Sequence, residues 1–238
     1  MPFVPLPDDA EAVRRLLAPR FDLTEKEIRV GSTTFRLLKV LDTNVLLERL
    51  DPSEFSRDER LPYWADVWIS SVELARWCLE EGDLRGKRVL EIGCGLGLAG
   101  IAAAVAGAEV VLSDYEHDAL QFAGYNACLN LHSAAERSRV QLLHLDWRCL
   151  PSLEPFDMIM GADIAYERKN FRSLIALMRS LVVPGGTVVL TDPDRSIGRE
   201  FFRLIEDEGF SLSSTERIHR WDGREMTVVR ALVQTTAE

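Results

Sequence analysis

One stretch constrains this chain more than any other: Val89-Leu-Glu-Ile-Gly-Cys-Gly-Leu-Gly-Leu-Ala-Gly100. A short apolar strand runs straight into a turn with glycine at 93, 95 and 97, and the turn opens a helix. Glycine permits positive φ and lets a ligand approach the backbone closely. The helix start adds N–H groups without intrahelical partners. Such a unit belongs in a parallel sheet, where nucleotide cofactors bind in the crevice beyond the strands' carboxyl ends.

The following sequence has the matching rhythm. Apolar strands are predicted over 87–92, 109–114, 140–145, 157–162 and 186–191, with helices over about 68–81, 96–106, 117–130 and 168–182. Strands alternating with helices build βαβ units and a parallel sheet covered on both faces. A helix over 197–208 stops at Gly209, and strands over 210–215 and 226–234 follow, with a turn around Trp221-Asp-Gly223 and no room for a helix between them. These two must pair antiparallel. The predicted fold is α/β: a Rossmann-like, seven-stranded, mostly parallel sheet with a C-terminal antiparallel hairpin.

Residues 1–60 read as a separate α+β extension, and 61–238 as the main domain. A helix over 9–18 precedes alternating stretches at 27–30, 33–40 and 44–48, which read as a small antiparallel sheet. The polar segment 51–60 reads as a surface connection.

Charge narrows the function classes. Lys and Arg total 28 against 38 Asp and Glu, a formal net charge of −10. Phosphate neutralisation supplies most affinity for nucleic acid, so an acidic body argues against such a partner. Cys78, Cys94, Cys128 and Cys149 are scattered, without a C-x-x-C pair or a histidine at ligand spacing, so no metal is expected. His117, His132, His144 and His219 show no catalytic spacing and read as structural. The start of the chain lacks the pattern of a signal peptide. The most apolar run, 96–108, is shorter than the ~20 residues that span a bilayer. A cytoplasmic location without a membrane partner is expected.

Gly95-Leu-Gly97-Leu-Ala-Gly100 matches a dinucleotide fingerprint formally, but the turn has already begun at Gly93. Read from Gly93, the pattern is G-x-G-x-G with Glu91 on the strand's last turn. A carboxylate there suits a cationic group such as the α-amino group of S-adenosylmethionine (AdoMet) and repels a pyrophosphate. Asp114 ends the next strand, where it can accept hydrogen bonds from ribose hydroxyls. Tyr115 beside it is a further candidate on the cofactor side. Asp146-Trp147, at the third strand end, offers an acceptor for an adenine amino group and a flat partner for its ring. Tyr63-Trp64 is either a rim pair or packing for the N-terminal sheet.

Together these residues resemble a seven-β-strand (class I) AdoMet-dependent methyltransferase, over roughly 61–234. Within that superfamily the sequence is similar to methyltransferase family 16, which holds protein lysine methyltransferases. The closer match rests on Trp68 leading into a helix, Trp147 after the third strand, and Asp163-Ile-Ala-Tyr166, which fits a D-x-x-Y motif. The resemblance implies that Trp68 and Trp147 flank the cofactor, that Gly93, Cys94, Gly95 and Gly97 supply its loop, and that Ala162 lies against it. It implies Asp163 and Tyr166 as the catalytic candidates facing the methyl group and the acceptor nitrogen. Thr191-Asp-Pro-Asp-Arg195 shows a looser similarity to bacterial relatives of the family. The implied partner is a lysine-bearing protein, to which an acidic body is complementary. A small-molecule methyltransferase, a NAD-dependent oxidoreductase and a binding module with an inactive site remain alternatives at this point.

Overall fold

The computed structural model describes residues 3–48, 61–150 and 152–235. Its main sheet has the order β1 (Val4–Pro5), β6 (Val140–His144), β5 (Glu109–Asp114), β4 (Arg88–Ile92), β7 (Phe156–Ala162), β8 (Val182–Asp192), β10 (Arg224–Thr235), β9 (Phe210–Trp221). From β6 to β8 all neighbours run parallel, while β10 joins β8, and β9 joins β10, antiparallel. The seven expected strands are present, and the two-residue β1 adds an antiparallel eighth at the β6 edge.

Both faces are covered, as the continuous apolar strands require. Along β4, Val89 packs into one hydrophobic cluster and Leu90 and Ile92 into another. The first cluster includes residues of α3 (Ile69–Glu80), α4 (Leu98–Val105) and α5 (His117–Asn130). The second includes α7 (Phe171–Leu181) and α8 (Ser196–Asp207). A short α6 (Ala134–Arg137) carries a capping box between Ser133 and Glu136. The chain leaves β4 towards β5 and β6, then returns to β7 on β4's other side. That reversal opens a crevice between the carboxyl ends of β4 and β7.

The terminal hairpin turns at Asp222 (φ 46) and Gly223 (φ 76), two positive values suited to a tight primed turn. Its strands run longer than expected because Glu216 to Arg220, polar and largely outward, still holds register with β10.

In the N-terminal part, α1 (Ala10–Leu17) and the β2 (Leu23–Val30)–β3 (Thr33–Val40) hairpin form where expected. The stretch 44–48 does not add a third strand: it is the helical turn α2 (Asn44–Glu48). Asp42 Oδ1 accepts from the Asn44 N–H at 2.9 Å, a local bond that bends the chain before a strand can extend. The connection over 51–60 lies outside the described residues. Leu17, Phe35, Leu37 and Leu38 are buried in the same cluster as α4 and α5.

Two asparagines hold the hairpin to α5. Asn126 Oδ1 accepts from the Leu38 N–H at 2.7 Å, while its Nδ2 donates to Leu38 O at 3.2 Å and Leu96 O at 3.0 Å. One turn on, Asn130 exchanges the same pair of bonds with the Arg36 backbone, at 2.9 and 2.7 Å. Spaced i and i+4 on one helix face, these amides serve β3 as a neighbouring strand would. Among the described residues no helix is long and apolar enough to cross a membrane.

Candidate active site

The loop after β4 turns through Gly93, Gly95 and Gly97, with φ of 66, 52 and 85. The Gly95 N–H donates to Asp114 Oδ2 at 2.9 Å, and the Glu116 N–H donates to Oδ1 at 2.9 Å. Two backbone donors therefore aim the carboxylate at the end of β5, with further lone-pair capacity on its oxygens. Burial raises the Asp114 pKa, and the Glu116 and Gly95 N–H groups oppose that rise.

Glu91 is 2% exposed, and its Oε2 accepts from the Gly100 N–H in the first turn of α4 at 2.8 Å. Burial pushes its pKa up to about 8, against the opposing pull of the Gly100 N–H. A methyl group on Gly100 would lie 2.5 Å from Glu91 Oε2 and 2.1 Å from Leu112 Cδ2, so this position requires glycine for space.

A cavity of about 700 Å³ opens beyond the strand ends. Trp68, Glu91, Gly93, Cys94, Gly95, Asp114, Tyr115, Asp146, Trp147, Ala162, Asp163 and Tyr166 all line it. Gly97, in the same loop, is not among these lining residues. A Cβ there would meet Ala123 Cβ at 3.1 Å, so Gly97 serves the start of α4 and its close packing on α5.

At the nucleoside end, Trp147 lies beside Gly93 and forms part of the wall. The Asp146 carboxylate already accepts from the Arg148 N–H (2.9 Å), Nε (2.9 Å) and Nη2 (2.8 Å). The Arg148 guanidinium sits 5.1 Å over the Tyr115 ring. Two histidines without sequence spacing come together here: the His117 and His144 rings stack at 4.0 Å, and His144 Nε2 bonds the Tyr115 carbonyl at 2.8 Å.

The other end lies beyond β7 and β8. Tyr166 meets Tyr63 edge-on at 5.3 Å, Tyr63 meets Trp68 at 6.0 Å, and Trp68 Nε1 donates to the Tyr63 carbonyl at 2.7 Å. Tyr63 is thus a rim residue, whereas Trp64 both lines the cavity and packs against Phe21 and Phe122, so both readings hold for this pair. Burial and nearby acidic groups raise the Tyr166 pKa, so its hydroxyl keeps its proton.

Asp163 does not present a free carboxylate. Arg195 grips it with two parallel bonds, Nη1 to Oδ1 at 2.5 Å and Nη2 to Oδ2 at 2.8 Å. Burial raises the Asp163 pKa, and Arg195 counters. Arg195 was not among the expected site residues, although it lies in the loop that follows β8, at a strand end where α/β sites are built.

The residues present fit AdoMet. Asp114, Glu116 and Asp146 line the cavity with carboxyl groups, a setting that disfavours a pyrophosphate, while burial keeps Glu91 neutral in the absence of a cationic group beside it. Asp114 would hold the ribose hydroxyls, the glycine loop the amino-acid portion, and Trp147 the adenine.

Comparison with known proteins gives the family. The lysine methyltransferase family profile matches residues 57–208. Protein N-lysine methyltransferase METTL21A of Danio rerio is 36% identical over 73% of this chain and 79% of its own length. Histone-arginine methyltransferase METTL23 of Xenopus laevis is 31% identical over 66% of this chain and 67% of its own. Among solved structures, magnesium protoporphyrin IX methyltransferase (ChlM) from Synechocystis PCC 6803 with bound SAM superposes with a TM-score of 0.55 at 20% identity, covering 82% of this chain and 99% of that one. That likeness is one of fold. The chain belongs to the lysine methyltransferase family, and its methyl donor is AdoMet.

Proposed function

We propose that this enzyme methylates a lysine side chain of a protein. The observation that carries the reading is one continuous cavity, lined both by the aimed carboxylate of Asp114 and by an aromatic rim. Tyr63 and Trp68 on that rim are 43% and 39% exposed, so a side chain of a second macromolecule can reach in. The identity with a protein N-lysine methyltransferase supports the choice of acceptor.

Bound AdoMet supplies a sulfonium methyl carbon open to in-line attack. The chain's own residues must orient the acceptor and favour its neutral form. A lysine amine is mostly protonated at neutral pH, with an unperturbed pKa of ~10.4. Entry past Tyr63, Trp68 and Tyr166 strips water from the amine, and desolvation lowers its pKa so that the proton leaves to solvent. The Tyr166 hydroxyl oxygen offers an acceptor for an amine N–H, which orients the nitrogen and leaves its lone pair for the methyl carbon.

The four cysteines are free, which supports a reducing, cytoplasmic location. Incubation with methyl-labelled AdoMet and a cell lysate, followed by hydrolysis of labelled protein to amino acids, tests the reading. Methyllysine is expected. Label confined to small molecules would favour the small-molecule alternative instead.

A further inference from the structure

Arg195 immediately precedes α8, and its backbone N–H donates to Asp192 Oδ1 at 2.8 Å. That bond turns the chain so that the side chain reaches back to the end of β7. There the guanidinium occupies both oxygens of Asp163. Asp163 is itself fixed in place: its φ is 58, and its N–H donates to Thr191 O at 2.8 Å. The Asp163 side chain is 8% exposed, and Arg195, 36% exposed, lines the cavity.

A carboxylate that receives a planar guanidinium through two parallel bonds is the arrangement by which proteins recognise arginine side chains. In this chain the fork is already filled from within. We propose that Arg195 is a positioning residue that clamps Asp163 and closes the acceptor end of the cavity to guanidinium groups, so that an amine enters and an arginine side chain does not. The proposal rests on the amine-methylating reading above and names what enforces it.

Two physical arguments support the exclusion. An intramolecular partner competes at an effective concentration on the order of millimolar or higher, which a protein acceptor at lower concentration cannot match. A free Asp163 carboxylate beside the acceptor would also hold a lysine as ammonium and keep its lone pair protonated, because an opposite charge favours the charged form. Paired with Arg195, Asp163 adds no net charge to that end of the cavity. The bound amine is then free to lose its proton.

The test uses the full chain with Arg195→Ala and Arg195→Gln, methyl-labelled AdoMet and lysate protein, with hydrolysis to separate methyllysine from methylarginine. Calorimetric AdoMet binding verifies that each variant is folded. Without the clamp, methyllysine is expected to fall by about tenfold or more, a typical loss when a positioned group is removed, and methylarginine to appear. Guanidinium chloride at about 20 mM, matching a millimolar effective concentration, is expected to restore methyllysine and suppress methylarginine. A residue that only stabilised the fold would show no such rescue. If guanidinium leaves both products unchanged in variants that bind AdoMet, the proposal is overturned. The wild-type product separates the two claims: methyllysine with no guanidinium response defeats the clamp alone, methylhistidine defeats the lysine reading while the response still judges the clamp, and methylarginine defeats both.

Discussion

The Gly95 N–H donates to Asp114 Oδ2 at 2.9 Å, so the loop after β4 aims the carboxylate that ends β5. Asp114→Ala therefore removes a ribose acceptor and a tie within the loop together. AdoMet affinity measured by calorimetry should fall by about 1.5–3 kcal/mol, the usual worth of hydrogen bonds to a charged group. An unchanged dissociation constant would show that Asp114 does not hold the cofactor.

Gly100→Ala should destabilise the fold even though alanine is the better helix former. Its methyl would meet Leu112 Cδ2 at 2.1 Å and Glu91 Oε2 at 2.5 Å. Overpacking of a core costs about 1–3 kcal/mol, occasionally more. Gly185→Ala is the control: its φ is 75, but an added methyl would meet nothing within 4 Å beyond its chain neighbours, so only backbone strain of about 1–2 kcal/mol applies. Urea unfolding that ranks Gly185→Ala as the worse of the two would contradict the packing argument.

Glu91 makes stability fall as pH rises. Its pKa of about 8 in the folded chain lies above the ordinary 4.5, so its contribution is complete below pH 4.5 and is lost progressively up to about pH 8. Glu91→Gln keeps an acceptor for the Gly100 N–H but cannot ionise. In urea unfolding without AdoMet between pH 5 and 9, the wild type should lose up to a few kcal/mol more than the variant. Parallel profiles would show that Glu91 is not held protonated.

Tyr166→Phe and Asp163→Asn should reduce turnover while sparing AdoMet binding, because neither side chain belongs to the set assigned to the ribose, the adenine or the glycine loop. Loss of an orienting hydrogen bond predicts up to about 10²-fold for Tyr166→Phe at saturating AdoMet, the scale of a misplaced reacting atom. Turnover within twofold of wild type would remove Tyr166 from the reaction.

Much of the sheet was legible because each buried parallel strand is a short apolar run bounded by turn residues, and Asp114 and Trp147 stood at predictable strand ends. What escaped were relations between distant segments. The Asp163–Arg195 pair joins two strand ends 32 positions apart, and no local pattern marks an ion pair. The His117–His144 stack is invisible for the same reason. Gly97 shares its neighbours' spacing and positive φ, yet only the packing of α4 on α5 shows that it faces a helix. At 44–48, five residues are too few to distinguish a period of two from one of 3.6, and a single Asp42 bond decided the matter.

The Asn126 amide contacts both β3 and the loop that follows β4: one Nδ2 donates to Leu38 O and to Leu96 O. Leu96 stands between Gly95, which steers Asp114, and the first turn of α4. Lys39 of β3 adds a second tie, donating to Asp66 Oδ1 at 2.7 Å, and Asp66 lines the cavity beside Val67 and Trp68. The N-terminal hairpin is therefore a strut under both the cofactor loop and the rim, and a partner that shifted it would strain both together.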